Sequence, residues 1–334
     1  MIILSILSTF SRKTPTSNIF PSPTVVPLIS QPAIKNISPK DYISQDQYLE
    51  SGKISNITFS FKDPSFPKDI NVYSGTKLPI SQDDAFITAK AFPFSSPPQD
   101  NGEANIETWV SNDLTQTLNI YLKSEHISFI NSFVPAKPDI GSPSLKMITS
   151  KDEAIVTAEN FLKGKGLWKD GIYAEKDKIS LHKGDFESGS VQNISFSEAE
   201  IIDIPFGRKI NNTQVLYQYD KLSTVEILID KFGTVRKLEY QYTPVQIGPR
   251  ITLLNTLEAK NKILNGEGII IKFGEDGMKT TTNSISSVNL STMELNYLYD
   301  IGINSLVPVF VFRGDGTSEA GKKANTTIVL PALK

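Results

Sequence analysis

The sequence predicts an α+β protein in which a short unit is repeated: one helix packed on an antiparallel β-meander. Residues 81–92 and 150–161 are identical at six of twelve positions, which indicates an internal repeat. Residues 255–266 form a weaker third copy. Stretches in which apolar and polar residues alternate follow each copy, and this period of two is typical of half-buried strands. A helix followed by a run of strands, three times over, is an α+β pattern.

Each copy begins with the signals of a helix N-terminus. Ser81, Ser150 and Asn255 occupy the N-cap position, and an acidic residue follows three positions later in every copy. This spacing predicts a capping box. Gly266 is predicted to end the third helix in a left-handed conformation. Alanines recur on one face of the first two predicted helices and would let them lie close on a sheet. These are Ala85, Ala89, Ala154 and Ala158.

Turn residues divide the predicted strands. Residues 225–229 and 235–242 alternate in polarity, and residues 230–233 between them predict a tight turn. Near the C-terminus, residues 306–312 and 326–330 have the composition of strands. The tripeptide Arg313, Gly314 and Asp315 between them matches an adhesion motif, but Gly and Asp are the expected residues of a turn. We therefore interpret it as a turn.

The 334-residue chain is long enough for two or three domains. We predict an apolar N-terminus and linker at residues 1–37, then α+β units at 38–145, 146–248 and 249–334. Residues 1–10 form an apolar run about half as long as a membrane-spanning helix requires. It is either a plain tail or the end of a signal or anchor that begins upstream.

The segment that follows the apolar run favours the anchor. Residues 14–27 are rich in Pro, Ser and Thr, a composition typical of an extended spacer. An anchor followed by a spacer predicts an extracytoplasmic, membrane-tethered protein of the bacterial cell envelope. A cytoplasmic location is the alternative.

Composition excludes several function classes. The 34 basic and 36 acidic side chains are balanced, so nucleic acid is not expected as a partner. The chain has no cysteine, which excludes disulfides and thiolate metal sites. Of the two histidines, His126 is predicted at a strand end and His182 in a loop. The acidic pairs are interpreted as helix-start charges, apart from a turn at Glu275 and Asp276. No catalytic, cofactor-binding or metal-binding residues are predicted.

The aromatic residues recur at strand spacing and are interpreted mainly as core or inter-sheet packing. An exposed subset could instead form a contact surface for a peptide or protein. The residues proposed for that surface are Trp109, Tyr121, Tyr240, Tyr242, Phe310 and Phe312.

Two families are similar to parts of this chain. Capped helices that carry an acidic residue before alanine, followed by a meander with an Asp-x-x-Gly turn, resemble PepSY-type modules over about residues 70–245. Glu258 and Ala259, the glycine-containing residues 265–268 and the apolar strands at 288–297 and 306–314 resemble the end of YycI-type regulators of membrane sensor kinases. The resemblance implies an extracytoplasmic protein that binds other proteins.

The leading hypothesis for function is therefore a non-enzymatic, surface-tethered protein with a binding or regulatory role. It would act through contact with a protein or peptide, by strand addition or through a groove. A cell-envelope hydrolase that uses acidic side chains is one alternative. A purely structural envelope component is the other.

Overall fold

The computed structural model describes residues 49–50, 54, 56–76, 80–100, 102–123, 126–132, 146–183, 194–216, 224–274, 285–300, 304–318 and 321–334. The predicted N-terminal anchor and linker at 1–37 and the acidic turn at Glu275 and Asp276 lie outside these residues. In the described parts of the chain, no helix is both long and apolar enough to span a membrane.

Three α-helices and a short 3₁₀-helix are described, and the remaining elements are strands. The helices are α1 (Gln82–Ala91), α2 (Lys151–Gly164) and α3 (Thr256–Leu264), with the 3₁₀-helix at Lys176–Lys178. The strands are β1 (Leu49–Glu50), β2 (Asn56–Phe59), β3 (Asp69–Gly75), β4 (Ile106–Val110), β5 (Gln116–Tyr121), β6 (His126–Asn131), β7 (Ile172–Ala174), β8 (Ser180–His182), β9 (Ile201–Ile210), β10 (Thr213–Leu216), β11 (Val225–Asp230), β12 (Val235–Gln241), β13 (Val245–Thr252), β14 (Ile269–Gly274), β15 (Ile285–Asp300), β16 (Ser305–Ser318) and β17 (Lys323–Pro331).

The predicted fold class, α+β with repeated helix-and-meander units, is wrong. The structure is mostly β, and its strands form one large mixed sheet. The physical reason lies at the strand edges, because a separate meander leaves unpaired backbone donors and acceptors along both sides. β6 pairs antiparallel with β12, which places Ile127 opposite Tyr240, and this pairing crosses the predicted boundary at residues 145–146. The division into units stays a prediction.

β15 connects the two halves of the sheet through parallel pairing. Val215 of β10 lies beside Tyr297 of β15, and β10 also pairs antiparallel with β9. β2 runs parallel to the first half of β15, with Ile57 beside Val288. On its other side, β15 continues antiparallel into β16, β17, β14 and β1. Parallel neighbours need long connections between them, so no repeat of local meanders could produce this arrangement.

The three predicted helix starts are confirmed. The Ser81 and Ser150 hydroxyls and the Asn255 side chain each accept a hydrogen bond from the backbone N–H three residues later. The reciprocal bond of a full capping box is recorded in α3, where Asn255 N–H donates to Glu258 at 2.8 Å. In α2 the corresponding acid, Glu153, accepts from the N–H of Thr149 instead.

Replacing Asn255 by alanine should remove the cap of α3. We expect a loss of about 1 kcal/mol in the free energy of unfolding, because the N–H of Glu258 loses its acceptor. Urea denaturation of the full chain measures this loss. Asn261→Ala, an exposed position inside the same helix, is the matched control and should be neutral or slightly stabilising. Equal losses at both positions would contradict a capping role.

The two largest hydrophobic cores of the described residues lie between the helices and the sheet. α1 and α2 pack together on β4, β5, β6, β12, β11 and β9, and the predicted alanine contacts are confirmed because Ala85, Ala89, Ala154 and Ala158 are fully buried. The second core joins α3 to the C-terminal strands through Ala259 and Ile263. The two repeated helices therefore share one core.

The turn at residues 230–233 is confirmed. One carboxylate oxygen of Asp230 accepts hydrogen bonds from the N–H groups of Phe232 and Thr234, both at 2.9 Å. Gly233 has a φ of 83°, the left-handed conformation that this tight turn needs. Gly266 likewise has a φ of 84° after α3, as predicted.

The predicted turn at Arg313, Gly314 and Asp315 is wrong, because these residues lie inside β16. Their neighbours in β15 and β17 pair with them on both sides. A Cβ on Gly314 would lie 2.0 Å from the carbonyl oxygen of Asn289, so glycine permits a close approach of β15. The register between β15 and β16 shifts at this place. Glycine here serves strand packing and not chain reversal.

Candidate functional site

The proposed aromatic contact residues are mostly in the cores. Trp109 and Tyr240 are buried against α1 and α2. Phe310 and Phe312 are fully buried in the C-terminal core. Tyr121 and Tyr242 are half-buried and lie on opposite faces of the sheet. They are the accessible members of the set.

The side of the sheet opposite α1 and α2 is called the polar face here. Strand residues alternate between the two sides of a sheet, so the neighbours of the core residues Leu118, Ile127, Ile202 and Leu238 point to this side. Both histidines of the chain lie on this face. Members of the polar face include Thr108, Asn119, Tyr121, His126, Ser128, Ile130, Ser180, His182, Asp203, Glu226, Leu228, Lys237 and Glu239.

Glu239 is the centre of a hydrogen-bonded group on β12 and β6. Its carboxylate contacts the Nε2 of His126 at 2.8 Å and accepts from the Ser128 hydroxyl at 3.1 Å. The Lys237 ammonium lies 3.3 Å away. Burial raises the pKa of Glu239, but the His126 hydrogen bond and the Lys237 charge outweigh it and hold the pKa below the ordinary value. Glu239 therefore stays ionised in this group.

Tyr121 extends this group to an open cleft. Its ring stacks on the His126 ring with centroids 4.6 Å apart. The cleft has a volume of about 380 Å³ and is lined by the first residue of β4, the last residue of β5 and the loops beside them. Its lining residues are Glu103, Ala104, Asn105, Ile106, Tyr121 and Lys123. A tyrosine ring, an acid and a base around such a cleft suit a polar peptide-like group.

A second polar group lies at the other end of the polar face. Ser180 of β8 is the cross-strand neighbour of Asp203 of β9, and its hydroxyl is hydrogen-bonded to that carboxyl group. Ser180 Oγ also lies 2.9 Å from the Nε2 of His182. Burial raises the pKa of Asp203 to about 7, and the negative charge of Glu226 adds to the rise.

The structure places the histidines in a way that the sequence only partly indicated. His126 begins β6, so the prediction of a strand end is confirmed. His182 ends β8, so the prediction of a loop is wrong. The apolar neighbours Ile127 and Leu181 pack on the core, and this alternation was the available signal that both histidines face the other way. Their partners Glu239 and Asp203 lie on strands distant in sequence.

The described residues contain no group of three or more His, Asp or Glu side chains arranged to hold a metal ion. Comparison with protein families, curated proteins and solved structures finds no match to this chain. The geometry of the polar face is therefore the basis for the function proposed below.

Proposed function

We propose that this chain is a non-enzymatic binding or regulatory protein that docks a protein partner on the polar face, at the end formed by β4, β5 and β6. The observation that carries the proposal is the distribution of cover on the sheet. α1 and α2 cover one face of these strands, whereas Tyr121 and His126 on the other remain half-exposed beside the cleft.

An exposed apolar residue adds to this surface. Ile130 of β6 lies on the polar face with 46% of its surface exposed, directly opposite Lys237 of β12. Interfaces commonly combine an apolar or aromatic anchor with a polar surround. Tyr121 and Ile130 supply the anchors, and the Glu239 group supplies the polar surround.

The extracytoplasmic, membrane-tethered location remains part of the proposal. It is supported by the apolar and Pro/Ser/Thr-rich N-terminal sequence and by the resemblance to PepSY-type and YycI-type modules. The resemblance also favours a regulatory role through protein contact.

A pair of matched variants tests the docking surface. The full chain is cross-linked in envelope extract, the captured protein is identified by mass spectrometry, and its affinity is measured with both proteins purified. Ile130→Glu should weaken binding about tenfold or more, which is at least about 1.4 kcal/mol. Val156→Glu is the control, because Val156 is 55% exposed on α2, on the far side of the sheet. Weaker binding for the Val156 variant alone would contradict the proposal.

An envelope hydrolase is the second candidate, and one observation favours it. Asp203 and Glu226 lie close enough for the charge of Glu226 to raise the pKa of Asp203, as a general acid requires. Neither acid lines the cleft at Tyr121. Release of soluble fragments from envelope material by the full chain, and its loss in both Asp203→Asn and Glu226→Gln, would favour hydrolysis over binding.

A further inference from the structure

Asp203, Ser180 and His182 form a continuous hydrogen-bonded chain across two strands. Ser180 and Asp203 face each other in the pairing of β8 with β9, and their side chains are hydrogen-bonded. Two residues along β8 and on the same face, the His182 Nε2 lies 2.9 Å from Ser180 Oγ. Serine is the middle member, which distinguishes this order from a catalytic triad, in which histidine lies between serine and the acid.

The serine hydroxyl can donate only one hydrogen bond, and this fixes the direction of the hydrogen bonds among the three side chains. If Asp203 is ionised, Ser180 donates a hydrogen bond to the carboxylate, and its oxygen accepts a hydrogen bond from the His182 Nε2–H. If Asp203 is protonated, its O–H donates to Ser180, and the serine hydroxyl donates to an unprotonated His182 Nε2. Neutral His182 then carries its proton on Nδ1. The two states therefore require different tautomers of His182.

Opposing influences act on the protonation of Asp203. Burial and the Glu226 charge on β11 oppose ionisation, whereas Ser180 and the Lys237 charge on β12 favour it. One oxygen of the carboxyl group, Oδ1, is inaccessible to solvent and has no hydrogen-bond partner among the described residues. A proton on the carboxyl group would reduce the cost of burying that oxygen.

Several of the other ionisable groups near β9 form ion pairs. Asp230 on β11 is paired with Arg236 at 2.8 Å, and beyond Glu226 lies Glu239 on β12 in the His126 group. The 3₁₀-helix that packs on β9 has Lys176 paired with Asp152 and Lys178 paired with Glu175, both at 2.6 Å. The charged residues of the elements around β9 are Asp152, Glu153, Glu159, Lys151, Lys163, Glu175, Lys176, Asp177, Lys178, His182, Lys183, Arg208, Lys209, Glu226, Asp230, Arg236, Lys237 and Glu239.

We infer that Asp203, Ser180 and His182 are a proton relay that switches the hydrogen-bonding pattern and charge of the polar face near neutral pH. When Asp203 loses its proton, that proton moves to Ser180 Oγ while the Ser180 proton moves to His182 Nε2. The proton on His182 Nδ1 leaves to solvent, so the net change is one proton released. If the polar face binds a partner as proposed above, this change adds a negative charge beside Glu226 above neutral pH.

Nuclear magnetic resonance of the full chain tests the relay without any partner, so its failure is separate from failure of the proposed function. Uniform ¹⁵N labelling of histidine gives resonances from only two residues, and His182→Gln assigns them. The ¹⁵N shifts distinguish the two neutral tautomers and the imidazolium form. Selective ¹³C labelling of aspartate follows the carboxyl group of Asp203 in the same pH series.

The relay predicts that neutral His182 carries its proton on Nε2 at high pH and that the Nδ1 form grows as Asp203 gains its proton. Ser180→Ala should abolish this dependence, while Ser180→Thr, which keeps the hydroxyl, should retain it. Ser128→Ala is the control, because that serine belongs to the Glu239 group. A tautomer ratio that is constant in the native chain, or that changes equally in Ser180→Ala, would overturn the inference.

Discussion

Replacing Phe310 by alanine is expected to lower the free energy of unfolding by about 3 to 5 kcal/mol. Phe310 is fully buried in β16, and its ring centroid lies 5.1 Å from that of Phe66. It belongs to the core that contains Ala259 and Ile263 of α3, so truncation would leave a cavity between helix and sheet. Urea denaturation of the full chain, followed by circular dichroism, measures the loss.

Tyr121→Ala is the matched comparison for Phe310→Ala. Both residues belong to the predicted contact surface, but Tyr121 is half-buried beside the cleft, and we expect a loss of about 1 kcal/mol or less. Partner binding should respond in the opposite order, with Tyr121→Ala causing the larger direct effect. If the free energy of unfolding of Phe310→Ala lay within about 1 kcal/mol of that of the native chain, Phe310 would not be a core residue.

Asp203→Asn should stabilise the protein above neutral pH. The pKa of Asp203 rises from 3.8 to about 7 on folding, so the unfolded chain ionises first as the pH increases. The stability linked to protonated Asp203 is therefore fully present below about pH 4, and it is lost as the pH rises to about 7. This rise in the pKa corresponds to a loss of up to about 4 kcal/mol in the free energy of unfolding. Asparagine does not ionise and therefore avoids the loss.

Denaturation at pH 4 and pH 8 measures this effect. The difference in stability between Asp203→Asn and the native chain should be small at pH 4 and should reach about 2 to 4 kcal/mol in favour of the variant at pH 8. Asp315→Asn removes an exposed carboxylate of β16 and serves as the control, with no comparable change. A variant that is less stable than the native chain at both values would show that Asp203 is ionised and needed in the fold.

Local features of the fold could be predicted because their causes lie close together in sequence. Ser81 and Ser150 cap helices through N–H groups three residues away, and Asp230 with Gly233 forms a turn through contacts within five residues. Such interactions need no knowledge of the rest of the chain. The helix starts and the turn could therefore be predicted from the sequence.

The arrangement of the strands could not be predicted, because it depends on partners that are distant in sequence. Alternation places Phe310 and Phe312 on one side of β16, but Val309 and Val311 on the other side are buried as well. Alternation alone does not say which side is covered in a strand buried on both faces. For the same reason, the aromatic residues could not be divided into core and surface members.

Part of the candidate site could be predicted from the sequence. The apolar residues beside His126 and His182 indicate that both histidines point away from the core. Their contacts with Glu239 and Asp203 depend on pairing between strands that are distant in sequence; His126 and Glu239, for example, are 113 positions apart. The perturbed pKa of Asp203 depends on the three-dimensional proximity of Glu226.

The pairing of β6 with β12 has a consequence for the order in which the chain can fold during synthesis. β6 leaves the ribosome about 100 residues before β12, and at roughly 5 to 20 residues per second it waits for at least about 5 s with one edge unpaired. Edges of this kind invite pairing between nascent chains. The polar residues His126 and Ser128 on β6 would make such contacts less favourable until β12 arrives. β12 therefore completes the core of α1 and α2 and also ends the interval in which one edge of β6 is unpaired.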